Sequence, residues 1–396
     1  MNVALVFDGD LEGGGGYQQQ LASVLDIYKI ENYNFIVFVF TKENKIILDS
    51  YGIRSVFVEK KIADKIFRFL IRQDWFSYLS AILKKVSLFE KRLGENKIDL
   101  VYFLSPSGLS MDLLCHNYII TVWDLCHRDF MEFPEVKDHK VFEQREQLYT
   151  KSLKKAVAVI ADSDLGKQNI INRYGVDEKR VFAQSFLPAP GTIISEDDYQ
   201  AGYIDIKKKY SIKGEYLFYP AQFWTHKNHI YILNGLLELK QVHGISLTAV
   251  FTGLDMGNLG YIKQMAVDLG IEHRVVFTGF VANEEMPYLY RQSLALVMPT
   301  YFGPTNLPPL EAFTLGVPVL YSDLEGLRDQ VGDAALLMDL SDSASMAKHL
   351  YDLLTVEGLR DDLVSKGKSR LDSFSSNKNE VLINILENYR YKRICW

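Results

Sequence analysis

Cysteine is scarce in this 396-residue chain. There are three, Cys115, Cys126 and Cys395, an odd number without metal-ligand spacing. That excludes a disulfide framework and a thiolate metal site, and leaves free thiols in a reducing compartment. Long hydrophobic runs are missing as well: none approaches the roughly 18 residues of a membrane-crossing helix. The chain enters a strand-like run (VALVFD) at once, with neither the basic segment nor the apolar core of a signal peptide. A cytoplasmic protein is expected, meeting the membrane peripherally from its inner face. Positive charge is not in excess. The 44 Lys and Arg against 50 Asp and Glu give a net charge of −6, which argues against bulk nucleic-acid binding.

What is present is ordinary for a globular protein: 48% hydrophobic and 24% charged residues. At about 150 residues per domain, the length calls for two domains. Short β-branched and aromatic runs alternate with helical patterns: VALVFD, NFIVFVFT, SVFVEK, LVYFLS, NYIITVWD and AVAVIADS. After residue 210 the series restarts with YLFYPAQ, SLTAVFTG, VVFTGF, LALVMPT, VPVLYS and AALLMD. Near-continuous apolar strands separated by helices indicate parallel sheets covered on both faces. The expectation is α/β, two doubly wound Rossmann-like domains, residues 1–190 and 205–375, with a cleft between them. FLPAPGTIISEDDYQAG (186–202) reads as the linker, and a terminal helix at about 376–396 as a candidate to pack back on the first domain.

Ligands of such sheets bind beyond the carboxyl ends of strands, where the chemistry-bearing residues fall. A glycine run, residues 13–16, separates the first strand from the first helix. Gly15 and Gly16 there can let backbone N–H groups approach an anion, although a plain flexible loop explains such a run equally well. Lys227 lies in a strand–loop–helix turn, where a cation can meet a phosphate. Pro308 and Pro309 suit a helix's first turn, which leaves the amides of Thr305, Asn306 and Leu307 to point at a ligand. Glu311, one turn in, is placed for a ribose diol, although a solvated first-turn glutamate is by itself the commoner case.

Five stretches, the glycine run, YPAQFWTHKNH (219–229), VVFTGFVANEEMPYLYRQSLALVMPT (275–300), FGPTNLPPLEAFTLGVPVLYSD (302–323) and VGDAALLMD (331–339), give the chain its resemblance to glycosyltransferase family 4. The likeness runs over nearly the whole chain. It implies the GT-B fold and retaining transfer of a hexose from a UDP- or GDP-sugar to a glycan or lipid-linked glycan, in bacterial surface-polysaccharide synthesis. By resemblance Glu311 binds the nucleotide ribose and Lys227 the diphosphate. Thr252 and Gly253 face the nucleotide, and the segment carrying Phe280 and Val281 packs on the base. His127, in TVWDLCHRDF, reaches the transferred sugar, with Asp124 shaping the turn. Two positions depart from the pattern: Gln222 stands where an arginine is usual, and Gly303 where the first glutamate of a Glu-x7-Glu pair is usual. Backbone amides and the Asn306 side chain are left to hold the sugar.

Alternatives remain: a sugar-nucleotide epimerase or phosphorylase of the same architecture, and a non-catalytic sugar-nucleotide-binding subunit, which Gln222 and Gly303 motivate. Two Asp-x-Asp triplets, Asp8-Gly9-Asp10 and Asp162-Ser163-Asp164, match the metal-binding signature of GT-A enzymes. Chance explains them in a chain this acidic, so neither metal nor cofactor is expected. Residues 60–92 hold nine Lys or Arg against three Asp or Glu. Interleaved Ile66, Phe67, Leu70, Trp75 and Phe76 make this stretch a candidate for anionic lipid, with Arg68 and Arg72 among its cations. An ordinary helix pair with a basic outer face is the equal alternative.

Overall fold

The computed structural model describes residues 1–9, 14–59, 61–73, 76, 85–375 and 379–395. Asp10, Gly13 and Trp75 lie outside them. The chain forms two compact units. One comprises Met1–His127, Lys140–Ser185 and Asn377–Trp396, the other Arg128–His139 and Phe186–Ser376.

The first unit is built on β1 (Asn2–Phe7), β2 (Asn34–Val39), β3 (Ser55–Phe57), β4 (Leu100–Phe103), β5 (Tyr118–Val122), β6 (Ala158–Ala161) and β7 (Val181–Ala183). All pair in parallel, in the order β3-β2-β1-β4-β5-β6-β7. Alternate residues of one strand serve opposite faces. Ala4 and Val6 join one apolar cluster, while Val3, Leu5 and Phe7 join the other. The second cluster includes Leu382, Ile385, Leu386 and Tyr389 of the helix Glu380–Arg393, a 3.6-period stripe. Tyr389 fixes that helix by donating to the Asp99 carbonyl at 2.9 Å. β7 has only three residues and runs on into polar ones (VFAQS).

The second unit carries β8 (Tyr216–Pro220), β9 (Thr248–Thr252), β10 (Val275–Gly279), β11 (Ala295–Met298), β12 (Val319–Ser322) and β13 (Ala335–Met338). They too are parallel, in the order β10-β9-β8-β11-β12-β13. The order reverses between β8 and β11, and that switch point is where an open α/β sheet takes its ligand.

Residues 186–202 are a docked arm and not a free linker. Tyr199 stacks on Tyr288 at 4.6 Å, and Arg291 pairs with Glu196 at 2.7 Å. Residues 128–139 also belong to the second unit, inside the range expected for the first.

The helix Ile62–Ile71 corrects the reading of the basic stretch. Arg68 and Arg72 are not solvent-facing cations. Both bind the fully buried Asp112 carboxylate, Arg72 at 2.9 Å, and Arg72 also donates to the Gly108 carbonyl. Asp64 accepts from the Leu88 N–H at 2.7 Å. With its polar side turned inward, the helix exposes Ile62, Ile66 and Phe69, at 77%, 59% and 66%.

Candidate active site

Each donor-side candidate of the second unit lies on a segment that follows the carboxyl end of β8, β9, β10 or β11. Backbone bonds lace these segments together. The Ala221 N–H donates to the Thr252 carbonyl at 3.1 Å, Phe223 to Leu254 at 3.0 Å and Gly253 to Gly279 at 3.0 Å. Gly253 has φ +147°, and a Cβ there would sit 2.6 Å from the Ala221 carbonyl, so the lacing requires glycine. Beyond β10, Val281 is buried, while Phe280 is 65% exposed.

Lys227 closes the short turn Thr225–Lys227 after β8. Its carbonyl accepts from the Tyr219 hydroxyl at 3.0 Å, and its Nζ lies 3.5 Å from Asn306 Oδ1. The loops after β8 and β11 thus meet at the cation. Gln222, five residues earlier, accepts from Trp224 Nε1 at 3.2 Å and brings no charge.

Asn306 corrects an expectation. Its amide is not left for a ligand, because it donates to Gln330 Oε1 at 2.9 Å, while Gln330 Nε2 donates back to the Asn306 carbonyl at 2.6 Å. Its Nδ2 donates to Tyr321 and to the Phe302 carbonyl at 2.7 and 3.2 Å. Asn306 therefore anchors the loop through its backbone and Nδ2. Thr305 precedes it, and Leu307 begins the helix Leu307–Thr314 with the two prolines behind it.

Glu311, in that helix, is buried and accepts from the Tyr290 hydroxyl at 2.6 Å. Burial pushes its carboxyl up to about 7, against the lowering effect of the Tyr290 bond. Gly303 has φ +96°, and a Cβ there would meet the Thr305 carbonyl at 2.8 Å. The loop path itself disfavours a glutamate at this position.

Glu135 went unnoticed in the sequence because its partner is 91 residues away. It sits in the first turn of the short helix Pro134–Lys137. Its Oε1 accepts the His226 N–H at 2.8 Å and pairs with His226 Nδ1. Burial raises its carboxyl, but the bonds from His226 outweigh burial and hold it below the usual carboxylate value. Oε2 is buried with no hydrogen-bond partner, an arrangement that costs about 1–3 kcal/mol. The His226 ring stacks on Phe302 at 3.9 Å and 10°.

In the first unit, His127 is fully buried, its Nε2 2.7 Å from Glu146 Oε1. Its Nδ1 has no partner. Burial, then the Arg145 charge, lowers its pKa below the ordinary histidine value, so the ring is neutral at pH 7. Asp124 accepts from the Cys126 N–H at 2.9 Å and from Arg145 at 2.6 Å. Burial raises the Asp124 carboxyl, but Arg145 outweighs it and brings the pKa below its usual value. Gly16 is needed for packing, since a Cβ would lie 2.9 Å from the Trp123 ring. Gly15 is the exposed first residue of the helix Gly15–Ile27. Asp8 accepts from the Ser105 and Ser107 hydroxyls at 2.7 and 2.5 Å. Asp162 accepts from the Ser163 hydroxyl at 3.2 Å. Among the described residues, no three His, Cys, Asp or Glu are grouped to hold a metal ion, and no helix is long and apolar enough to cross a membrane.

Residues 204–370, which span every donor-side candidate from Gln222 to Glu311, match the family described as glycosyl transferases group 1. That match covers less than half of the chain, and it makes this domain similar to the group 1 family. The group 1 domain is accompanied by wider likenesses. The chain is 25% identical over 229 residues to O-antigen chain mannosyltransferase B of Escherichia coli, covering 57% of this chain and 58% of that protein. It is 28% identical over 235 residues to O-antigen chain mannosyltransferase RfbU of Salmonella typhimurium, covering 59% of each. The matched stretch is therefore less than two thirds of the length of either relative. The solved structure of Anabaena Alr3699/HepE in complex with UDP superposes with a TM-score of 0.72 at 15% identity, over 98% of this chain and 100% of that one. That likeness establishes the fold, which is GT-B.

Proposed function

We propose that this protein is a retaining hexosyltransferase. It takes the sugar from a nucleotide-sugar and gives it to a glycan or lipid-linked glycan of a surface polysaccharide. The observation that carries the reading is the meeting of Lys227 with the β11 loop at the sheet's switch point, followed one turn on by buried Glu311. An ammonium there is suited to charge developing on a leaving diphosphate, usually the largest electrostatic contribution to such a transfer. Glu311 accepts from the ribose hydroxyls, and Phe280 with Val281 receives the base. His127 offers its unpartnered Nδ1 to the transferred sugar. The acceptor hydroxyl attacks the anomeric carbon on the face the diphosphate leaves. Its proton passes to the leaving phosphate, so no protein nucleophile and no metal is needed. The names of the two curated relatives make mannose the first sugar to test. The second reading, a binding subunit, is favoured by uncharged Gln222 and Gly303.

Thermal unfolding with UDP-, GDP- and ADP-sugars tests donor binding, since a ligand at 100 times its Kd adds about 2.7 kcal/mol of stability. Donor loss that depends on acceptor and persists in EDTA is the expected outcome. Affinity without acceptor-dependent turnover supports the binding subunit, and activity restored only by manganese or magnesium rejects the metal-independent mechanism. For a lipid-linked acceptor, Ile62, Ile66 and Phe69 beside exposed Lys61 and Lys65 are the membrane-facing side. Ile66→Asp with Phe69→Asp should abolish sedimentation with anionic vesicles, and equal sedimentation removes that surface.

A further inference from the structure

The structure assigns a role to Glu135: we propose that it is the carboxylate that recognises the transferred sugar, its Oε2 accepting a hydrogen bond from one sugar hydroxyl. The inference rests on the transferase reading above and names a specificity residue within it. Three observations converge. The side chain is 7% exposed, and one oxygen takes both bonds from His226 while the other has none. A carboxylate used on one side and idle on the other is a poor structural staple and a ready acceptor.

The second observation is position. His226 directly precedes Lys227, and its ring lies face to face with Phe302, which directly precedes Gly303. Phe133, two residues before Glu135, packs edge-on against Phe302 at 5.3 Å. Glu135 is thus delivered to the loops after β8 and β11, where the sheet order reverses and Lys227 stands. Third, Gly303 supplies no side chain, and its φ of +96° with the nearby Thr305 carbonyl would strain one. The segment 128–139 brings a carboxylate to a loop that carries none of its own. With the side chain only 7% exposed, a hydroxyl donating to its ionised carboxylate makes a strong, discriminating contact.

The test compares wild type with Glu135→Gln, which keeps an oxygen for His226 and replaces the idle acceptor by a donor. GDP-mannose and UDP-glucose, with their monodeoxy analogues, are the donors, and GDP and UDP are the sugar-free controls. For the productive donor, kcat/KM should fall about 10- to 100-fold, the range of one charge-assisted hydrogen bond, with GDP or UDP affinity within twofold of wild type. Wild type should reject one monodeoxy donor that the variant uses as well as its parent. Glu135→Asp should restore part of that discrimination. Equal losses in diphosphate affinity and turnover, or unchanged deoxy discrimination, overturn the proposal and leave Glu135 a support for His226. If the variant does not fold, Glu135→Asp decides by the same deoxy comparison. Wild type that binds neither nucleotide overturns the transferase reading itself, and this proposal with it.

Discussion

Arg145 of the first unit and Lys227 of the second both stand near strand ends, yet they are held very differently. Arg145 donates to the Asp124 carboxylate and carbonyl at 2.6 and 2.8 Å, whereas Lys227 Nζ lies 3.5 Å from a neutral amide oxygen. The histidines repeat the contrast. His127 is fully buried against Glu146, while His226 is held by a glutamate with an oxygen to spare. In the first unit these groups close on one another, whereas the second keeps an acceptor oxygen, Glu135 Oε2, unpartnered near its switch point. Removing a charged partner in the first unit should therefore lower stability, and doing so in the second should lower ligand binding.

The largest effect tests the first half of that contrast. Arg68→Glu with Arg72→Glu strips both partners from buried Asp112, whose carboxyl burial already pushes above its usual value. Breaking a buried pair costs about 3–5 kcal/mol, read as a lower urea midpoint. An unchanged midpoint would show that these arginines are surface charges after all.

Glu311 comes next, because the second unit's carboxylate is poised by burial. Its pKa is raised from 4.5 in the unfolded chain to about 7. Its stabilising contribution is therefore complete below about 4.5 and is lost as pH rises through 7, a change of about 3 kcal/mol. Glu311→Gln should flatten that stretch of the stability profile. Nucleoside diphosphate affinity should rise through pH 7 in wild type, as the ionised carboxylate accepts the ribose hydroxyls. A profile with the same slope in both proteins would remove the ionisation from Glu311.

Lys227→Ala should leave the urea midpoint alone and cost about 1.5–3 kcal/mol in nucleoside diphosphate affinity, one charge-assisted contact. Arg145→Ala is the matching control in the first unit and should do the reverse. If both variants lose affinity and neither loses stability, the contrast between the units fails.

Much of the architecture was legible because buried parallel strands write themselves as uninterrupted apolar runs, as in VALVFD and LALVMPT. β7 was not: its VFA is short and, unlike β3 within SVFVEK, runs on into polar residues (VFAQS). Lys227 and Glu311 could be singled out as candidates because the segments that carry them come soon after strands. Glu135 could not: it reaches His226 only through the return of residues 128–139 to the second unit, and nothing local in FPEV announces that partner. The Asn306 reading failed for a related reason. A helix N-terminus shows in sequence, but Gln330, which takes the amide, lies beyond the next strand. The arginines at 68 and 72 misled because charge patterning does not show which face of a helix turns inward.

The smallest expected effect is at Gly303, and it separates strain from chemistry. With φ at +96°, any side chain there meets backbone strain of about 1–3 kcal/mol, and the Thr305 carbonyl at 2.8 Å adds a clash. Gly303→Ala carries this strain alone and should lower both the urea midpoint and turnover modestly. Gly303→Glu carries the same strain and adds a negative charge on a loop that reaches Lys227, with uncharged Gln222 giving no compensation. Its nucleoside diphosphate affinity should fall below that of Gly303→Ala, by more than the midpoints differ. A Gly303→Glu protein that transfers sugar faster than Gly303→Ala would mean that the loop accepts the carboxylate and uses it. The sugar contact would then belong to position 303, and the second unit would keep at its switch point only a weakened copy of the family's site.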